Sequence, residues 1–284
     1  LERSDVAAAR EALDQALHVA PRSAAALVES ARLHLRTGST AEALRQYDEA
    51  LLVADEPARI YLELGQAHLA ARDLPAAVDA FTMASTLDPM LGDAWLRLGE
   101  TLGRLDRNAE AVEALAQAVS MPPGSSSAGT WFQYGQCLHN LRRLPEALDA
   151  YQHSLRIEPE APYVLMAAGH TELLQERDEA ALAYYEQALR LADPVPPGLE
   201  LHLAMAYQNC GRWRDSQRAY ERLLTLAPND HLVRWYLSQC DLALCNWERG
   251  WSNYGARFGA GASPYRPLPF RPWRGEAAPD DTLL

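Results

Sequence analysis

A small residue followed four places later by a large one recurs along this chain every 34–36 residues. The small positions are Ala9, Ala43, Ala77, Ala111, Ala147, Ala181, Ser216 and Gly250. The large ones are Leu13, Tyr47, Phe81, Leu115, Tyr151, Tyr185, Tyr220 and Tyr254. Three residues further on come Ala16, Ala50, Ala84, Ala118, Ser154, Ala188, Leu223 and Arg257. Steps of four and three place each triplet on one face of a helix. An interval near 34 residues suits one helical hairpin, too small to bury its apolar face alone. Neighbours must stack and share one elongated core. Proline closes most copies, at Pro21, Pro89, Pro123, Pro159 and Pro228, where it prevents the second helix from running on.

A second pattern fills the other half of each copy. Tyr61, Trp95, Trp131 and Leu165 are each followed four residues later by a glycine: Gly65, Gly99, Gly135 and Gly169. Leu27 stands 34 residues before Tyr61. The frame slips by two residues in "SMPPGSSSAGT", read as a lengthened turn, and by one in "LADPVPPGLE", which opens a degenerate copy with Glu200 at a position where Trp or Leu is expected.

Together these patterns resemble the tetratricopeptide repeat, the 34-residue helix–turn–helix unit. The resemblance covers residues 1–257: a half repeat over 5–20, then seven repeats starting near 24, 58, 92, 128, 162, 197 and 231. It implies an all-α, right-handed α-solenoid of stacked antiparallel helix pairs with a concave groove. Residues 258–284 carry five prolines and read as an irregular linker leading into a further domain.

Composition narrows the function. The chain has 48% hydrophobic residues, so disorder is not its default state. Its net charge of -12 argues against nucleic acid as a partner. All 26 basic residues are arginine, which removes phosphate-loop and Schiff-base lysines. Cys137, Cys210, Cys240 and Cys245 form no CxxC pair, and reduced thiols in a cytoplasmic protein are expected. No apolar run reaches membrane-spanning length, and the N-terminal residues lack a signal-peptide pattern. The first residue is Leu rather than Met, so the chain is expected to begin inside a longer protein.

No catalytic constellation, cofactor motif or metal-ligand spacing stands out. His34 and His68 occupy matching positions in adjacent copies and read as packing residues. Cys240 and Cys245, five apart on an expected helix, read as small apolar residues pointing to different sides. Asp14–His18 and Asp149–His153 are spaced for surface contacts.

The family resemblance implies that the first helix of each pair lines the groove, with the sixth and ninth positions of each unit pointing there. These are Glu29 and Arg32, Glu63 and Gln66, Arg97 and Glu100, Gln133 and Gln136, Ala167 and His170, His202 and Met205, and Tyr236 and Gln239. His139, Asn140, Gln208 and Asn209 lie one turn further on. Amides both donate to and accept from a peptide backbone, so the row suits an extended or loop segment of a polypeptide. The lysine–asparagine carboxylate clamp of chaperone-binding members is absent in its usual form. So is the asparagine ladder of the O-linked N-acetylglucosamine transferases.

Near the end, Trp247, Gly250, Trp251, Tyr254 and Arg257, then Pro272, Trp273, Gly275 and Thr282-Leu283-Leu284, resemble the junction in bacterial proteins that join tetratricopeptide repeats to a glycosyltransferase-like domain. Gly255 departs from that pattern, which usually has an acidic residue there. Trp247 and Trp251 are also expected to cap the array. Three functions follow: a scaffold binding a partner or acceptor polypeptide in the groove, the acceptor-binding arm of a transferase whose catalytic domain lies beyond Leu284, or a self-associating module. The unpaired half repeat makes its open N-terminal face the candidate surface for a homodimer.

Overall fold

The computed structural model describes residues 3–196 and 198–259, and the fold there is all-α. Contacts divide the chain into two compact units, residues 1–196 and 197–284.

The first unit opens with α1 (Arg3–Val19). Five helix pairs follow: α2 (Ala24–Arg36) with α3 (Thr40–Leu51), α4 (Ala58–Ala70) with α5 (Leu74–Leu87), α6 (Gly92–Arg104) with α7 (Asn108–Ser120), α8 (Ala128–Asn140) with α9 (Leu144–Ile157), and α10 (Pro162–Leu174) with α11 (Asp178–Leu191). Each helix packs on the one before it and the one after, so the unit is a solenoid of antiparallel hairpins. The second unit has two pairs: α12 (Leu199–Asn209) with α13 (Trp213–Leu226), and α14 (His231–Ala243) with α15 (Trp247–Tyr254). A 3-10 turn over Gly255–Phe258 follows α15. Among the described residues there is no strand. The proline-rich segment with Trp273 and the closing Thr282-Leu283-Leu284 lies outside the described residues.

The small–large spacing is a packing contact made visible. A Cβ on Gly65 of α4 would come within 2.4 Å of the Phe81 ring of α5. The same holds for Gly99 against Leu115 at 2.5 Å, Gly135 against Tyr151 at 2.6 Å and Gly169 against Tyr185 at 2.9 Å. The two helices of a pair therefore approach to a distance that only glycine permits at the crossing. Tyr47, Phe81, Leu115, Tyr151, Tyr185 and Tyr220 are all fully or almost fully buried, as are Ala43, Ala77, Ala111, Ala147 and Ala181, while Ala9 on α1 is exposed. Where serine takes a small position its hydroxyl is satisfied inside the core. Ser154 donates to the Ala128 carbonyl at 2.9 Å and Ser216 to that of Ala204 at 2.8 Å.

Helix starts are set by caps. Ser23, Asp73, Ser127 and Asp230 accept from backbone N–H groups two or three residues on. The turn inside each hairpin needs a left-handed residue. Gly38 and Gly211 supply it at φ 82° and 71°, but Arg72, Asp106, Arg142, Glu176 and Cys245 are forced there at φ 57–62°. The backbone then closes as a helix C-cap, with Asp73 N–H donating to the His68 carbonyl at 2.9 Å and Arg107 N–H to that of Leu102 at 3.0 Å.

Some local expectations are corrected and others take definite form. Cys245 is not on a helix with Cys240: it is the left-handed turn residue after α14, and it is exposed. The lengthened turn is a 3-10 segment, Gly124–Ser126, and the Trp131 indole donates to the Ser125 carbonyl at 3.1 Å. The sixth pair opens at Leu199 because the preceding residue, Gly198, sits at the N-cap with φ 82°. His153 stacks on Trp131, with ring centroids 4.2 Å apart and planes 12° apart, rather than standing as a plain surface partner of Asp149.

Candidate functional site

The first helices carry the polar residues singled out in the sequence, and the structure ties many of them across successive pairs. In the first unit Arg32 of α2 grips Glu63 of α4. Nε donates to Oε2 at 2.8 Å and Nη2 to Oε1, while Nη1 holds Glu29. The buried Tyr47 of α3 reaches the same carboxylate, its hydroxyl donating to Oε2 at 3.1 Å. Burial, then the Glu63 charge, pushes the Tyr47 hydroxyl well above the usual tyrosine range, so it stays a donor. Arg97 and Glu100 pair within α6 at 2.9 Å. Gln66 and Gln136 are exposed.

Further along the same unit the row becomes neutral. His139 Nδ1 lies 2.9 Å from Thr171 Oγ1, and the Thr171 hydroxyl already donates to the Ala167 carbonyl at 2.8 Å. His139 must therefore carry its proton on Nδ1, leaving Nε2 as an acceptor. The rings of His139 and His170 are 5.2 Å apart. Burial lowers both pKa values, helped at His139 by His170 and Arg142 and at His170 by Arg142. Asn140 Nδ2 donates to Asn108 Oδ1 at 3.2 Å. Gln133 Oε1 is enclosed and has no hydrogen-bond partner.

In the second unit Tyr220 donates to Gln208 Oε1 at 3.2 Å, and Gln208 Nε2 donates to Gln239 Oε1 at 3.2 Å. The Nε2 of Gln239 ends this chain with no partner. Tyr236 stacks on Tyr220 with planes 12° apart, and the Arg212 guanidinium sits 4.5 Å over the Tyr207 ring. His202 is half-buried and Asn209 exposed, both on α12.

Tyr47, Tyr220, Thr171 and Asn108 are members that sequence reasoning did not assign to the row. The signal was present for two of them: Tyr47 and Tyr220 are large residues of the repeat pattern whose side chains end in a hydroxyl. At the C-terminal end, Trp247 and Trp251 do not close the core. They are 56% and 60% exposed, and the close contact is made by Gly250 against Leu242 instead. Tyr254 is half-buried. Among the described residues no group of three or more His, Cys, Asp or Glu is placed to hold a metal ion. Nor is any described helix long and apolar enough to cross a membrane.

The histidines make a testable pH response. His139, His153 and His170 all have folded pKa values below the usual histidine value, burial being the first cause in each. The unfolded chain therefore binds more protons than the folded one as pH falls through and below the ordinary histidine range. Their contribution to stability is complete above that range and is lost on acidification. Thermal melts should show Tm falling between about pH 7 and 5, and falling less in His139→Gln.

A family model described as tetratricopeptide repeat matches residues 1–58, 28–91 and 96–162, together more than half of the chain. Further models of the same description match residues 162–193 and 201–238. The general transcriptional corepressor ssn6 of Schizosaccharomyces pombe is 28% identical over 138 residues, 48% of this chain. The match spans only 12% of that protein's length. Among solved structures, YrrB, described as a TPR protein with an unusual peptide-binding site, aligns with a TM-score of 0.61 at 27% identity, covering 67% of this chain and 96% of YrrB. The C-terminal part of a TPR repeat-containing protein from Cytophaga hutchinsonii aligns over 82% of this chain and 95% of its own, with a TM-score of 0.64 at 14% identity.

Proposed function

The chain belongs to the tetratricopeptide-repeat family, and from that premise we propose that it is a protein-interaction scaffold whose first-helix face holds an extended segment of a partner polypeptide. The observation that carries the reading is the state of the amides. Gln133 Oε1 and Gln239 Nε2 lack partners, while Gln208 and Asn140 are fixed in orientation by Tyr220 and Asn108. In the first unit the exposed Gln136 and half-buried Gln133, and separately in the second the half-buried Gln239, carry amides that can both donate to and accept from peptide backbone groups. YrrB, whose description names a peptide-binding site, supports the same class of ligand. The Arg32–Glu63 and Arg97–Glu100 pairs neutralise the N-terminal part of the row, so the neutral stretch around Gln133, Gln136, His139, Asn140 and His170 is the part we assign to backbone recognition.

The test is a peptide selected from a random display library against the 284-residue chain, then titrated calorimetrically. Replacing Gln133, Gln136 and His170 together by Ala should weaken it at least about tenfold, the effect of losing one or two net hydrogen bonds. Unchanged affinity would overturn the assignment.

A second reading follows from the C-terminal helix, where Trp251, Tyr254, Arg257 and Phe258 form one aromatic–guanidinium cluster at the place where the junction resemblance lies. In that reading the scaffold presents an acceptor polypeptide to a glycosyltransferase domain beyond Leu284. The gene sequence past that residue decides it: a stop codon ends the reading.

A further inference from the structure

One place on the first-helix face of the first unit gathers positive groups, although the chain has a net charge of -12. The charges acting on His139 of α8 are those of His170 and Arg142, and the charge acting on His170 of α10 is that of Arg142. Arg142 is the exposed left-handed residue that follows α8, and its guanidinium makes no ion pair among the described residues. The nearby acids leave the cluster uncompensated. On α9, Glu146 is held by Arg143 through both oxygens. On α10, Glu172 is buried and pairs with Arg177 at 3.3 Å. From α7, Asn108 meets Asn140 as a neutral partner, and Glu110 is held by Arg107. Asp106 before α7, Glu176 after α10, and Asp178 and Glu179 on α11 do not act on either ring.

The hydrogen bonding prepares His139 for a second proton. The Thr171 hydroxyl is committed to the Ala167 carbonyl, so Nδ1 of His139 donates to Thr171 at 2.9 Å. Protonation therefore adds a hydrogen at Nε2 and leaves that bond in place. Nε2 has no partner among the described residues and is not enclosed. The neutral ring accepts there, and the charged ring donates there. With the exposed His170 and Arg142 beside it, the protonated ring completes a set of positive donors with no carboxylate among them.

We propose that this cluster is a subsite for an acidic side chain of the bound polypeptide, and that capturing the side chain takes up a proton. The inference rests on the first-helix face being the peptide site. A side chain suits better than a chain end, because the subsite lies within the stretch assigned to backbone recognition and the segment passes by it. A carboxylate set against the histidines favours their charged forms. It thus raises pKa values that burial first, and then the cationic neighbours, hold low in the free chain. The complex binds more protons than its separate parts as pH falls through the histidine range, so affinity rises on acidification. The gain ends where the ligand's own carboxylate protonates, near pH about 4.3.

The test uses a peptide selected from a random display library on the 284-residue chain at about pH 6, within the histidine range. It is titrated calorimetrically at that pH and at about pH 7.5, beside a twin with Asn and Gln in place of its Asp and Glu. The acidic peptide should bind at least about threefold tighter at the lower pH, with proton uptake seen as a heat that depends on the buffer, and the twin should show neither. His139→Gln should remove the pH dependence. Arg142→Asn, at an exposed turn whose left-handed backbone Asn tolerates, should reduce the preference for the acidic peptide over its twin. Equal affinity of peptide and twin, or affinity independent of pH, would overturn the subsite. So would a pH dependence that vanishes when the peptide's C-terminus is amidated, because a chain end would then be the bound group. The triple Ala replacement of Gln133, Gln136 and His170 separates the two readings. If it leaves the twin's affinity unchanged, the peptide site itself is misplaced; if it weakens the twin while pH has no effect on the acidic peptide, the acidic subsite alone fails.

Discussion

Replacing Arg72, Asp106, Arg142, Glu176 and Cys245 together by glycine is expected to stabilise the chain by roughly 2.5–5 kcal/mol. Each of these residues holds the left-handed turn between the helices of its pair at φ 57–62°. A side chain in that region costs about 1–2 kcal/mol, because Cβ crowds the following carbonyl oxygen. Glycine removes the crowding, and its greater freedom in the unfolded chain takes back part of the gain, leaving about 0.5–1 kcal/mol per turn. The five turns lie in different pairs, so their effects should add. Gly38 and Gly211 provide the reverse control: at φ 82° and 71°, alanine there should destabilise. Hydrogen exchange read turn by turn is the suitable measurement, because an array of stacked pairs need not unfold in one step. No gain in protection at any of the five turns would refute the strain argument.

Arg249→Ala should have the opposite and locally larger effect, loosening the second unit by about 3 kcal/mol or more. Asp241 of α14 is fully buried. Its Oδ1 accepts from Arg249 Nη2 of α15 and from Gln217 Nε2 of α13, the latter at 2.7 Å. The other amine of Arg249 holds Glu221 at 2.7 Å. The guanidinium thus joins an exposed carboxylate to a buried one. Asp241 first, then Glu221, raises its pKa, which keeps it charged throughout. Without it a carboxylate stays buried with one amide for a partner, while Asp241 Oδ2 already has none. Limited proteolysis should cut residues 213–259 first in Arg249→Ala. Adding Asp241→Asn should recover most of the loss, because the uncompensated charge and not the missing packing causes it. If the double variant is as labile as the single one, the buried charge is not the cause.

The fold was legible because the repeat pattern is the contact itself. A glycine facing a large residue across four successive hairpins, as Gly135 faces Tyr151, leaves the same imprint every 34–36 residues. The turn strain was not read, although it lay in plain view as Arg, Asp, Glu and Cys in register with Gly38 and Gly211. The candidate site was legible only as a row of residue types. Which amides are satisfied depends on neighbours some 12–32 residues away, such as Tyr220 for Gln208 and Asn108 for Asn140. No spacing rule encodes those partners. The exposure of Trp251 was hidden for a different reason: its position in the frame is one that other pairs cover, and the frame is silent about whether a next pair exists.

The Tyr47–Glu63–Arg32 junction has a mechanical meaning. In the first unit each pair touches only its neighbours, so the unit behaves as joints in series, and its compliance is the sum of theirs. The joint between the first two pairs is bolted three times over, by two guanidinium bonds and a phenol converging on one carboxylate. The joint around His139 and Thr171 carries a neutral hydrogen bond in place of those charged ones. Pulled from its ends, such a spring should hold its first joint longer than the neutral one, beside which the peptide-binding stretch is assigned.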